Sequence, residues 1–248
     1  MSTMMPPKYV CGLVLCSAIL FAVTAHAAAR PAKAVTTSIT GEAEFQTQGK
    51  EWKRLFRGLA LTEGASARTG EKSMIDMFLS TQGQIRLTQT TIIRFDQLRE
   101  ETTTLPERGK KPTAVTSIEL DRGKILVRAT APTEQSSFVV TTRSCLSEVR
   151  GFGAYSVSLL NNRACVRVMD QTVTVLIRGR ADPVILQAGQ QLCVECDPRT
   201  NQARDVNAQP TTIAEPDPDW TPTWTPPSGG PTTTLEAPPV YEISPSKP

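Results

Sequence analysis

The chain has 248 residues, of which 39% are hydrophobic and 21% charged, and its formal net charge is +3. That balance lacks the strong basic field of a nucleic-acid binder and leaves enough apolar residues for one buried core. Aromatic residues make up only 5%, so Val, Ile and Leu are expected to fill that core.

The N-terminal stretch sets the expected compartment. Lys8 precedes an uncharged apolar run over residues 10–24, and Ala25-His26-Ala27 has the small-x-small form of a cleavage site. This predicts a signal peptide over 1–27, too short for a comfortable membrane span. Leu15 before Cys16 argues against a lipid anchor. Cleavage would remove Lys8, taking the charge from +3 to +2, and with it His26, the single histidine of the chain. Without an imidazole, Ser-His-Asp and Cys-His catalysis, histidine bases and histidine metal ligands are excluded. The expectation is a periplasmic or secreted, non-enzymatic protein with no cofactor, no metal, no catalytic residue, no nucleic-acid partner and no stable membrane insertion after cleavage.

A linker is expected over 28–35 and a single domain over 36–204. Within it, "SMIDMFLS" places Ile75, Met77 and Leu79 on one face and Met74, Asp76 and Phe78 on the other, the period of a half-buried strand. The runs "GKILVRA", "SSFVVTT", "GAYSVSLL", "ACVRVMD" and "TVTVLIRG" follow at intervals of about eight to twelve residues and are rich in β-branched side chains. The predicted fold is all-β, an antiparallel β-sandwich or distorted barrel of many short strands. The charged segment 99–115 reads as a loop or insertion between two halves of the sheet. Gly64, Gly70, Gly83, Gly123, Gly179 and Gly189 read as turns between strands. The stretch "SEVRGFGAYSV" over 147–157 has the glycines of a phosphate loop. An alternating segment follows it instead of the helix such a loop needs, so it is expected to turn the chain between two strands. Arg143, Arg150, Arg163 and Arg167 read as solvated strand faces, with a basic ligand patch as the alternative.

From 205 to 248 the composition changes. Residues 208–248 hold eleven of the nineteen prolines, which neither ladder nor helix accommodates. A disordered, Pro/Thr-rich tail is expected there. Its near-repeat "WTPTWTPP" carries Trp220 and Trp224, read either as sticky residues of a spacer or as a docking motif for a partner or cell-wall surface.

The four cysteines after residue 27 are Cys145, Cys165, Cys193 and Cys196, an even number that suggests disulfides in an exported protein. Two intervening turns could bring Cys145 beside Cys165, leaving Cys193 to bridge Cys196 if the chain turns at Asp197-Pro198. The alternative is a ladder in which Cys145 and Cys165 each reach the 193–196 segment. Asp76, Asp96 and Glu119 alternate with apolar residues in strands, and the facing carboxylate pair that a glycosidase needs cannot be read from such a pattern.

The order of motifs is also informative. "GKEWKRLFRGLALTEGASARTG" leads to "SMIDMFLSTQGQIRL" and "TIIRF", then to "IELDRGKILVRA", "SSFVVTT", "VRGFGAYSV" and "VILQAGQQL". This series, over most of residues 40–195, resembles the FecR-like periplasmic domain. Gln82-Gly83 stands where that family has Asp-Gly, and Phe152 where it has Thr. The resemblance implies an extracytoplasmic interaction or sensor domain without the cytoplasmic anti-sigma segment, and it carries no catalytic residues. It implies a protein partner in the envelope. The alternative reading is a carbohydrate- or peptidoglycan-associated accessory or enzyme that contacts cell-wall glycan.

Overall fold

A computed structural model of the chain describes residues 28–80, 82–102, 112–215 and 217–220. The expected signal peptide, residues 221–248 and Trp224 lie outside the described residues. The strands are, in chain order, β1 (Ala28–Pro31), β2 (Ala34–Thr40), β3 (Ala43–Thr47), β4 (Lys53–Arg54), β5 (Ala60–Leu61) and β6 (Ala65–Thr69). They continue with β7 (Met74–Leu79), β8 (Gly83–Leu87), β9 (Ile92–Thr102), β10 (Thr113–Ala129), β11 (Ser137–Thr142) and β12 (Leu146–Gly151). The last six are β13 (Gly153–Leu160), β14 (Arg163–Asp170), β15 (Thr172–Ile177), β16 (Val184–Gln187), β17 (Gln190–Glu195) and β18 (Thr211–Thr212).

The strands form two sheets that share β10. In the first, the ladder runs β4-β3-β6-β9-β10-β11-β12-β15-β16, with β1 also along β9. In the second it runs β5-β2-β7-β8-β10-β13-β14-β17-β18. Among the described residues no ladder joins the far edges, so the architecture is open and is not a closed barrel. The expected all-antiparallel pattern also has one exception, because β11 runs parallel to β10, Val115 opposite Ser137.

That parallel pairing requires a bend. A straight strand from Val115 to Ala129 would extend about 46 Å, yet residues 130–136 bring the chain back across at most roughly 28 Å. β10 therefore bends. The register slips between Leu120 and Arg122, and Gly123 follows with φ +93°. A Cβ on Gly123 would come within 2.4 Å of the Thr91 backbone. The Thr91 hydroxyl accepts the Lys124 N–H at 3.0 Å, so the bend is hydrogen-bonded rather than left open. Gly123 thus lies inside a strand and not, as its surroundings suggested, in a turn between strands.

The core follows the alternation read from the sequence. Ile75, Met77 and Leu79 are fully buried, while Met74, Asp76 and Phe78 on the other face are half-buried. Ile85, Leu87, Ile93, Phe95, Ile125 and Val127 join them in one cluster. Burying each such side chain stabilises the fold by about 1.5–3 kcal/mol before entropy is counted. Tyr155 is fully buried, and burial pushes its hydroxyl well above the usual range.

Three boundaries move. Residues 28–35 are not a linker: β1 pairs with β9, and Ala34 on β2 is fully buried. The charged segment 99–115 does not simply interrupt the sheet, because Arg99 pairs with Val115 and Glu101 with Thr113 in the β9–β10 ladder. Residues 205–215 and 217–220 do not leave the domain, since β18 pairs with β17 and Asp217 is buried. The stretch 147–157 does turn between strands, with Gly151 closing β12 and Gly153 opening β13.

Candidate functional site

The cysteines join in the alternative pattern. Cys145 bonds to Cys196 and Cys165 to Cys193, correcting the expected Cys145–Cys165 and Cys193–Cys196 pairs. Strand alternation is the reason. In β17, Leu192 and Val194 point into the core, so Cys196 points inward with them and Cys193 points outward. Cys193 lies directly opposite Cys165 of β14, with Cα atoms 4.1 Å apart. Cys196 meets Cys145, which is fully buried just before β12. The inner bond therefore ties the two sheets together, and the outer bond joins two strands within one sheet.

The outer face of the second sheet holds a continuous row of residues. Across β7, β8, β10, β13, β14, β17 and β18 the register places Asp76, Arg86, Leu126, Ser156, Arg167, Gln191 and Thr211 side by side. Such a face ordinarily meets water. Here Leu126 is fully buried although it does not belong to the central cluster, and Arg86 and Ser156 are buried as well. What covers them is the segment after β18. The Ile213 N–H donates to Gly189 O at 2.8 Å, and residues 217–220 then cross the face as a strap.

The strap is held by charge. Lys124, from the next row of β10, donates to Asp217 and also to Asp219 Oδ2 at 2.7 Å. The Ser156 hydroxyl donates to Asp217 Oδ2 at 3.1 Å, and the Asp219 N–H donates to Asp217 Oδ1 at 3.1 Å. Arg86 forks onto Asp76 at 2.6 and 3.0 Å and donates to Asp219 O at 3.2 Å. The Arg128 guanidinium lies 5.2 Å from the Trp220 ring centroid, within cation–π range. Trp220 also lines a small cavity of about 110 Å³ with Arg167, Met169, Ile213 and Asp217. Trp220, read from the sequence either as a sticky spacer residue or as a docking residue, thus rests on its own domain.

Two further polar clusters lie elsewhere. On the first sheet, Glu119 is nearly buried and holds Arg143 together with Arg94 Nη2 at 2.6 Å, while Arg94 also meets Asp96 at 2.7 Å. These carboxylates are committed to guanidinium groups, which is how strand faces keep buried charge paired. At the β3–β6 end an open groove of about 690 Å³ is lined by Glu42, Glu44, Arg54, Arg68 and Arg122. There Arg68 pairs with Glu44 at 2.5 Å and lies 4.3 Å from the Trp52 ring centroid.

Residues 65–174 match the family model described as FecR protein. The chain carries a FecR-like domain. Two solved structures of a candidate anti-sigma factor from Parabacteroides distasonis ATCC 8503, at 1.65 and 2.50 Å, are similar at 16% identity. Each comparison covers 59% of this chain and 59% of the other, with TM-scores of 0.41 and 0.40. This chain therefore spans less than two thirds of those chains. Among curated proteins no sequence matches it.

The matched part of the FecR-like domain runs from β6 into β15. Cys145 and Cys165 lie inside it; Cys193, Cys196 and the strap lie beyond it. Each disulfide thus fastens the later segment to the matched core. The roles of Lys124, Arg86, Ser156 and Asp217 were not read from the sequence. The available signal was "EPDPDW", with carboxylates two residues apart before a tryptophan, in a chain whose basic residues alternate along strands.

Proposed function

We propose that the protein is an exported, non-enzymatic interaction or sensor module of the bacterial envelope, working as a signal-relay-type domain that binds a protein partner. The observation that carries this reading is the FecR match over residues 65–174, which runs from β6 into β15 and includes most of the core residues. The two disulfides support it from a different side, because such bonds persist in oxidising, extracytoplasmic compartments. The polar clusters support binding rather than bond-making. Asp76 is occupied by Arg86, and Glu119 by Arg94 and Arg143.

Crosslinking of the protein in its own envelope tests the proposal. The expected result is a discrete adduct with a second protein that forms under oxidising conditions. Capture of glycan strands without any protein adduct would overturn it in favour of a cell-wall accessory.

A further inference from the structure

On the outer face of the second sheet, Ile213, Asp217 and Asp219 of the chain's own strap are hydrogen-bonded to the domain. We infer that this face binds an extended, acidic segment of a partner protein, two carboxylates spaced two residues apart with an aromatic ring beside them, in exchange for the strap. The inference rests on the proposed binding role and adds the surface and the chemistry of its ligand.

The strap is bound in the way a foreign peptide would be. Both carboxylates that meet Lys124 belong to it. Asp217 has a side chain only 1% exposed, a desolvation that requires the complementary charge and donors beneath it. Donors to the strap come from three different strands: Lys124 from β10 and Ser156 from β13 reach Asp217, and Arg86 from β8 reaches the Asp219 carbonyl. Together with Arg128 they read three features of the segment, namely the first carboxylate, the second carboxylate with its own backbone carbonyl, and the ring that lies by Arg128. This is sequence recognition, because a neutral segment would cover the half-buried Lys124 without offering it a counter-charge. The fit is also incomplete. Gln191 Oε1, in the same cross-strand row, is buried without a hydrogen-bond partner, so a longer or better-placed ligand has an acceptor still to use.

The tether sets the competition. Cys196, bonded to Cys145, fixes the chain before the strap, and β18 holds it at the sheet edge. A segment tethered so closely acts at an effective concentration on the order of millimolar. A partner therefore engages when it offers a better segment or a high local concentration, and engagement frees the strap and Trp220.

The test uses the full chain and a fluorescein-labelled peptide with the sequence of residues 211–220. Asp217→Asn, Asp219→Asn and Trp220→Ala together open the strap while keeping chain length and cysteines. Fluorescence anisotropy should show that the opened chain binds the peptide roughly a hundredfold more tightly than the wild type does, the ratio of that effective concentration to a Kd of about 10 μM for the untethered segment. Adding Lys124→Met, or replacing both aspartates of the peptide by asparagine, should remove the binding. A second measurement needs no variant. With ¹⁵N-labelled wild-type protein and excess unlabelled peptide, the Trp220 indole N–H signal should move toward its free position. An opened chain with intact β signature and disulfides that ignores the peptide would overturn the inference, as would a Trp220 signal that excess peptide leaves in place. So would a concentration-dependent dimer of the wild-type chain in which straps cross between copies. An envelope protein adduct obtained while the peptide fails to bind would reject this face and leave the binding role standing.

Discussion

Cys193 on β17 and Cys196, which directly follows that strand, stand three residues apart and bond to different partners on opposite sides of the sheet. Non-reducing peptide mapping should therefore return a Cys145–Cys196 peptide and a Cys165–Cys193 peptide. The bonds close separations of 51 and 28 residues, each worth about 3.5–4 kcal/mol on the chain-entropy view. Replacing Cys145 and Cys196 by alanine should be the more damaging change, because it also opens a buried contact between the sheets. Denaturant midpoints of the two double variants check the order.

The strap predicts an effect of shortening the chain that composition alone does not. Its removal exposes Leu126 and strips Lys124 of both carboxylates. A chain ending at Gln209 should lose about 2–4 kcal/mol relative to one ending at Trp220, from lost apolar burial and lost charge-assisted hydrogen bonds. Thermal unfolding of the two shortened chains compares them directly, and equal melting temperatures would refute the strap's structural role.

Gly123 should tolerate no side chain. Its φ of +93° lies where L-residues are strained, and an added Cβ meets the Thr91 backbone at 2.4 Å. Gly123→Ala should cost about 2–4 kcal/mol, well above the penalty of the same change at Gly49, where nothing lies within 4 Å of the added atom. Unfolding midpoints of the two variants give the comparison.

The acid limb of the stability curve should depend on Glu63. Its hydrogen bond from Arg99 holds the carboxyl below the usual carboxylate range, despite some opposing desolvation. A depressed folded value means that the stabilisation is complete above about pH 4.5, the unfolded range for Glu. It is lost as pH falls through the lower folded value. Glu63→Gln should therefore differ from the wild type at pH 6 and converge with it near pH 3. Denaturant titration at the two pH values measures the gap.

Strand alternation was the legible part of this sequence. It placed Ile75, Met77 and Leu79 in the core, and it held the cysteine connectivity too, since residues three apart on an extended strand face opposite ways. The chain does not turn at 193–196, so the local bridge lacks the geometry it needs. Two features were not legible, for physical reasons. Composition says that a proline-rich segment cannot make a ladder; it does not say that Asp217 will find Lys124, a contact across 93 positions. Gly123 reads as a turn because positive φ serves turns and strand bends alike, and the choice between them is made by where β11 returns.

The bend in β10 has a consequence for how the molecule comes apart. One backbone serves both sheets: its first half is laddered to β9 and β11, its second half to β8 and β13. Neither sheet can melt while the other keeps that strand in place. The two halves are thus denied separate transitions, and a molecule that resembles two layers on inspection behaves as one cooperative unit. The same wiring leaves β10 incomplete until partners from Gly83 to Leu159 have been gathered, so its second half is set late in folding, after long loops have closed.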